Sequence, residues 1–194
     1  MDEELGKAIP YGVYDIGANL GWVRVGVDHD TAACAVATIR AWWRQMGAAM
    51  YPRATEWLMT ADGGGSHSAR ARLWKAELQR LAAETGLRIA VSHLPPGTSK
   101  WHKIAHRMFC HITANWRGRP LLSREVIVSL IGSTRSSTGL RIQAALDASQ
   151  SPIGIKVSAS EMEAIRIERS TFHGEWNYTI VPHRRPRSRR RSNA

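Results

Sequence analysis

Apolar and polar positions recur at two periods along this chain, and the switches between them mark its elements. Residues 11–16 (YGVYDI) and 21–27 (GWVRVGV) are rich in β-branched and aromatic side chains. A short turn containing Gly17 and Asn19 separates them, the pattern of a β-hairpin. From Thr31 to Met46 the period lengthens: Ala35, Val36, Ile39, Trp42, Trp43 and Met46 share one helical stripe. Asp30 or Thr31 can cap its start, and Gly47 suits its end. The run TEWLMTAD (55–62) then reads as a short strand that stops at Asp62 and three glycines.

A second helix is predicted from about Ser68 to Thr85, with Leu73, Trp74, Leu78, Leu81 and Ala82 inward and Gly86 as its breaker. Over Leu87–His93, Leu87, Ile89 and Val91 alternate with Arg88, Ala90 and Ser92, as in a half-buried strand. The segment PPGTSKWHKIAHR (95–107) ends that strand and opens a helix, with Ser99 as its cap. Trp101, Ile104, Ala105, Met108, Phe109 and Ile112 form its apolar stripe. Further short helices are expected at about Ser123–Ile131 and after the capping box Ser158-x-x-Glu161. The coarse order is β-β-α-β-α-β-α, an α/β arrangement in which strand–helix units favour parallel pairing. No internal repeat is present. Core-forming residues stop near Pro182, which sets a domain at 1–182 and an arginine-rich, disordered tail at 183–194.

Composition sharpens this picture at two points. Hydrophobic residues make up 43% of the 194, enough for a folded core, and no apolar run is long enough to cross a bilayer, so a cytoplasmic protein is expected. Cys34 and Cys110 lie in helical patterns without metal-type spacing and read as buried thiols. The formal net charge is +11. Six arginines of the tail HRRPRSRRRSNA account for six of these charges, leaving +5 on residues 1–183. A basic body with a polycationic end suits a polyanionic partner, although such a tail is also what a solvated chain end looks like.

Four places carry candidate chemistry. Asp62 ends a strand beside a glycine turn, where a carboxylate can hold Mg²⁺ and backbone can approach a ligand; a plain surface turn is the alternative. The helix start at Lys100, Trp101, His102, Lys103, His106 and Arg107 gathers basic and aromatic groups where backbone N–H groups favour anions. His102 and His106 have i, i+4 spacing, but Lys103 stands where a metalloprotease helix needs Glu. Arg70, Arg72 and Lys75 form a second basic set early in the helix after Asp62, either a DNA contact or a solvated face. Trp22, Trp42, Trp43, Trp57 and Trp74 fall on stripes and read as core.

Several motifs in order (TADGGGS, LWKAELQRLAAETGL, PPGTSKW-x-KI-x-HR, NWRGRPL and FHGEWNYTI) resemble the Rhodopirellula-type (ISAzo-type) DDE transposases of insertion sequences. The resemblance covers about residues 6–182. It implies a ribonuclease-H-like catalytic domain, DNA as partner (transposon ends and target), possible homo-oligomers on DNA, and three acids holding two Mg²⁺ or Mn²⁺ ions for phosphoryl transfer. Asp62 matches the second acid of that set. The third is a Glu in S-K-W-N-K-I-E-H-R, which here reads Ser99 to Arg107 with Ala105 at the Glu position and His102 at the Asn position.

The first acid belongs on a strand upstream of YGVYDI; neither Asp15 nor Asp28 matches it. The resemblance therefore implies a mixed sheet lacking its central first strand. The hairpin could then pair directly with the strand ending at Asp62 and restore one sheet. Function follows as a transposase fragment of doubtful catalysis, Glu77 being a poor substitute acid. A non-catalytic DNA-binding regulator and a decayed remnant are the alternatives.

Overall fold

The computed structural model describes residues 8–27, 31–65, 68–95, 97–149 and 152–183. Asp28, Asp30 and the tail arginines lie outside the described residues. The fold is mixed α/β, two mixed sheets flanked by helices, consistent with a ribonuclease-H-like domain.

The hairpin forms as its pattern requires: β1 (Ile9–Asp15) and β2 (Leu20–Gly26) pair antiparallel, with Asp15 opposite Leu20 at the turn. The Asp15 carboxylate accepts hydrogen bonds from the Gly17 and Ala18 N–H groups, each at 3.0 Å, and from the Tyr51 hydroxyl at 2.7 Å. That carboxylate is committed to the turn. Partial burial, followed by the bond to Asp15, pushes the Tyr51 phenol up to about 12.

Helix α1 (Ala32–Trp42) starts at Thr31, whose side chain accepts from the Cys34 N–H. It does not stop at Gly47. A wide turn over Trp43–Gly47 carries it to Ala48–Met50: Gly47 stays in the right-handed helical region, at φ −62°, with the Trp43 ring against it. A Cβ there would stand 2.6 Å from that ring. β3 (Glu56–Asp62) follows, then α2 (Arg72–Thr85), which begins four residues later than its pattern suggested. Gly86, at φ +77°, closes α2 by returning its N–H to the Ala82 carbonyl at 2.8 Å.

β4 (Arg88–Leu94) pairs parallel with β3, placing Asp62 opposite Leu94. After one 3₁₀ turn at Ser99–Trp101, the helical stretch from Lys103 runs through a wide turn at Ala105–Phe109 into α3 (Cys110–Trp116). α4 (Arg124–Gly132) is capped by Ser123 and packs on β5 (Arg141–Asp147), which runs parallel to β2. α5 (Ala159–Glu163) carries the expected capping box. β6 (Ile167–Arg169) and β7 (Asn177–Ile180) complete the second sheet.

The sheet orders are β1-β2-β5 and β3-β4-β7-β6. The hairpin therefore does not pair with β3: among the described residues, β1 and β3 are outer strands of separate sheets. What joins the two halves is side-chain packing. One core cluster holds Tyr11 of β1, Val36 of α1, Trp74 and Leu78 of α2, and Ile89 and Val91 of β4. Each fully buried side chain of this size contributes roughly 1.5–3 kcal/mol.

A second cluster brings Trp22 and Trp42 together with Val13, Trp43 and Trp57, the Trp42 and Trp57 rings lying 5.6 Å apart. The indole nitrogens of Trp22, Trp42 and Trp57 are buried there without a hydrogen-bond partner. Each such donor costs about 1–3 kcal/mol. The tryptophans are core, as expected. Of the thiols, Cys34 is buried, whereas Cys110 is exposed because it lies on the outer side of α3.

The helix from Lys103 to Trp116 lies on the hairpin face opposite α1. Met108 and Phe109 press against Gly12, and Met108 and Ile142 against Gly21. A Cβ at Gly12 would stand 2.7 Å from Met108 Cε, and one at Gly21 would stand 2.5 Å from Met108 Sδ. The two glycines let this helix seat closely, which fixes where its first turn falls.

Candidate nucleic-acid and metal site

Strand alternation decides the direction of Asp62. Trp57, Met59 and Ala61 pack toward the core, so Glu56, Leu58, Thr60 and Asp62 are left on the open face of β3. Leu58 is 74% exposed there. The Asp62 side chain is 55% exposed, and its Oδ1 accepts weakly from the Gly64 N–H at 3.4 Å.

The backbone beneath that carboxylate is held by a buried chain of polar groups. The Trp74 indole donates to the Tyr178 hydroxyl at 3.0 Å. Tyr178 Oη lies 2.9 Å from His93 Nε2, and His93 Nδ1 lies 3.2 Å from the Asp62 carbonyl oxygen. A carbonyl only accepts, so Nδ1 carries the proton. Nε2 then accepts from the Tyr178 hydroxyl, which itself accepts from Trp74. Burial raises the Tyr178 phenol well above its ordinary value, keeping it a neutral donor. This network was not read from the sequence. The signal was available: Leu87, Ile89, Val91 and His93 share the inward face of β4, and a histidine in an apolar register calls for a partner.

The turn Ser99–Arg107 approaches Asp62 at His102. His102 Nε2 stands 4.0 Å from Asp62 Oδ1, too far for a hydrogen bond, and is buried with no partner. The Ala105 N–H bonds to the His102 carbonyl at 3.1 Å, so Ala105 is one turn further along. Lys100, Lys103, His106 and Arg107 are all exposed around this turn. Trp101 is 57% exposed: the 3₁₀ turn takes it off the helical stripe that the spacing assigned to it.

The second basic set divides. Arg70 and Arg72 are exposed at the start of α2. Lys75 is 8% exposed, and its ammonium lies 5.6 Å from the centre of the Tyr178 ring. Lys75 is thus on the buried face of α2, not on a shared basic surface. Burial, then repulsion from Arg169, lowers its proton affinity. Glu77 is also buried and is tied to Arg80 and, at 3.7 Å, to Arg40, so it is committed elsewhere.

A family model described as the Rhodopirellula transposase DDE domain matches residues 1–182. The chain belongs to that family. No curated protein and no solved structure gave a match. Membership supports a transposase-type function with DNA as substrate and divalent metal use in general. No helix among the described residues is long and apolar enough to cross a membrane.

Among its described residues, this transposase-family chain gathers no donors for a pair of carboxylate-held ions. Asp62 offers one carboxylate and Ala105 none. Among the described residues no group of three or more His, Cys, Asp or Glu side chains is gathered for an ion. The described residues do not fit the two-ion arrangement.

Proposed function

We propose that this chain is a transposase-type domain that holds DNA at the 99–107 turn but has lost strand cleavage. One observation carries the reading: a basic, exposed turn adjoins Asp62. The motif resemblance adds that Ala105 stands where a Glu is expected. Lys100, Lys103 and Arg107 offer charge to phosphates, and Trp101 offers an exposed ring face to a base or sugar. His106, Arg70 and Arg72 add to that exposed basic character, and the tail arginines add positive charge for the phosphate backbone. A methyl group at position 105 neither binds an ion nor moves a proton, so no phosphoryl transfer is assigned. The reading places the protein in the cytoplasm on DNA, including as homo-oligomers across paired ends, and it suits a regulator of a related element.

The test is fluorescence anisotropy with a labelled duplex over a range of salt, beside a nicking assay in Mg²⁺ or Mn²⁺. Affinity is expected to fall steeply with salt. Replacing Lys100, Lys103 and Arg107 together by Ala should reduce the slope of log K against log salt by about 2–3, near 0.9 per lost phosphate contact. Asp62→Ala should leave DNA affinity unchanged. Metal-dependent cleavage by the unmodified chain, abolished in Asp62→Ala, would show that the catalytic part of the reading is wrong. Salt-independent binding would remove the DNA part.

A further inference from the structure

The motif NWRGRPL (115–121) lies at the far end of the helix that begins beside Asp62, where α3 gives way to the loop before α4. From Pro95 to Arg124 the chain carries six Lys or Arg residues and no Asp or Glu. Elsewhere arginine charge is matched by acid: Arg24 pairs with Asp147, Arg40 with Glu84 and Arg88 with Glu168. Arg117 and Arg119 are exposed, and neither side chain has a hydrogen bond or ion pair among the described residues.

The loop that carries them is braced. Arg117, at φ −57° and ψ 127°, and Gly118, at φ +73°, form a type II turn closed by the Arg119 N–H on the Trp116 carbonyl at 3.0 Å. Pro120 fixes its own φ and holds Arg119 extended. Asn115 anchors the base of the loop by donating to the Leu130 carbonyl at 2.7 Å. Beyond the proline, Leu121 and Leu122 stand 39% and 66% exposed, just before the Ser123 cap of α4. Two leucines fall far short of the roughly 800 Å² that a stable protein interface takes from each partner. An apolar tip flanked by unmatched arginines suits a DNA groove, where a Leu or Pro wedge parts a base step while arginines hold the neighbouring phosphates.

We propose that residues 117–122 form a second DNA contact, with Arg117 and Arg119 on phosphates and Leu121 and Leu122 pressed into the minor groove, opening a base step and bending the duplex. This contact rests on the DNA-holding reading above and adds how the duplex is shaped. The helix face between the two contacts lets a duplex lie close. Cys110, Thr113 and Ala114 are exposed, small and uncharged there, whereas Met108 and Ile112 are buried. From Lys103 to Arg117 the helix rises about 20 Å, or about six base-pair steps, so one duplex along it reaches both ends.

The test is fluorescence anisotropy of the intact protein with two labelled duplexes of about 20 base pairs, one continuous and one with a two-base bulge where stacking is already broken. Opening a step costs less in the bulged duplex, which should bind about tenfold more tightly. Leu121→Ser with Leu122→Ser should bring the two affinities within about twofold of each other; both side chains are exposed, so their replacement leaves the fold intact. Arg117→Gln with Arg119→Gln should lower the slope of log K against log salt by about 2 on either duplex. A bulge preference below about threefold in the unmodified protein, or one kept by the leucine variant, overturns the wedge. An unchanged salt slope overturns the arginine contacts. Dimerisation seen by sedimentation and lost in the leucine variant assigns the leucines to a second copy and overturns the proposal as well. Absence of binding to either duplex removes the DNA reading and the loop with it, whereas binding without a bulge preference removes the loop alone.

Discussion

Removing one oxygen tests the buried chain beneath Asp62. Tyr178→Phe keeps the ring and its packing against the core but deletes the hydroxyl that accepts from Trp74 at 3.0 Å and donates to His93 at 2.9 Å. Trp74, His93 and Tyr178 are all nearly inaccessible to solvent, so water does not readily replace the lost group. At about 1–3 kcal/mol for each buried group that loses its bond, with some relaxation, the cost is about 2–4 kcal/mol. For a domain of this size, the melting temperature should then fall by about 5–15 °C.

Urea unfolding followed by far-ultraviolet circular dichroism measures the change directly, and an unchanged m-value would place it in the native state. A cycle with His93→Leu should return a coupling of about 1 kcal/mol or more, because the two side chains share one bond. A loss below about 0.5 kcal/mol for Tyr178→Phe would refute the argument, since a surface hydroxyl costs no more than that.

Lys75→Met should keep or raise the unfolding midpoint and leave DNA affinity within about twofold, because an ammonium lowered by burial is a burden on the fold rather than a phosphate contact. Gly21→Ala should cost about 1–3 kcal/mol through collision with Met108, read as a shifted urea midpoint. Ser158→Ala should cost about 1 kcal/mol as a lost helix cap. Acid titration gives a further check. The Ser158 N–H and hydroxyl hold the Glu161 carboxyl below its usual value, and the hydrogen bond and charge of Arg88 do the same to Glu168. Depressed folded values mean that this stability is present above the ordinary carboxylate range near 4.3 and is lost as pH falls below it. Urea midpoints measured from pH 6 to pH 3 should drop, and less steeply in Ser158→Ala.

Much of the candidate site was legible in the sequence. Asp62 was placed at a strand end by the apolar run before it and the glycines after it. The basic helix start was visible in seven consecutive residues, Ser99 to Ala105 holding Lys100, His102 and Lys103. What periodicity misjudged were residues whose environment comes from a second layer. Lys75 was counted with Arg70 and Arg72, yet α2 is covered on that side by the sheet and by Tyr178. Trp101 fitted a 3.6-residue stripe, but a tighter turn precedes the helix and rotates it outward. His93 was hidden because its partners, Trp74 and Tyr178, lie 19 and 85 residues away in sequence.

The sequence by itself determined the local elements: the hairpin, the α1 and α2 stripes, the strand ending at Asp62, the Gly86 stop and the Ser158 capping box. Each is decided by bonds and contacts within a few residues. It also determined that position 105 carries a methyl group, which neither binds an ion nor moves a proton. Tertiary structure alone decided the partition into two sheets, with β2 taking β5 from more than a hundred residues away while β1 and β3 stay apart. It alone brought His102 to within 4.0 Å of Asp62. Both depend on which edges and faces meet after collapse, and hydrophobic periodicity specifies that a face is buried without specifying against what.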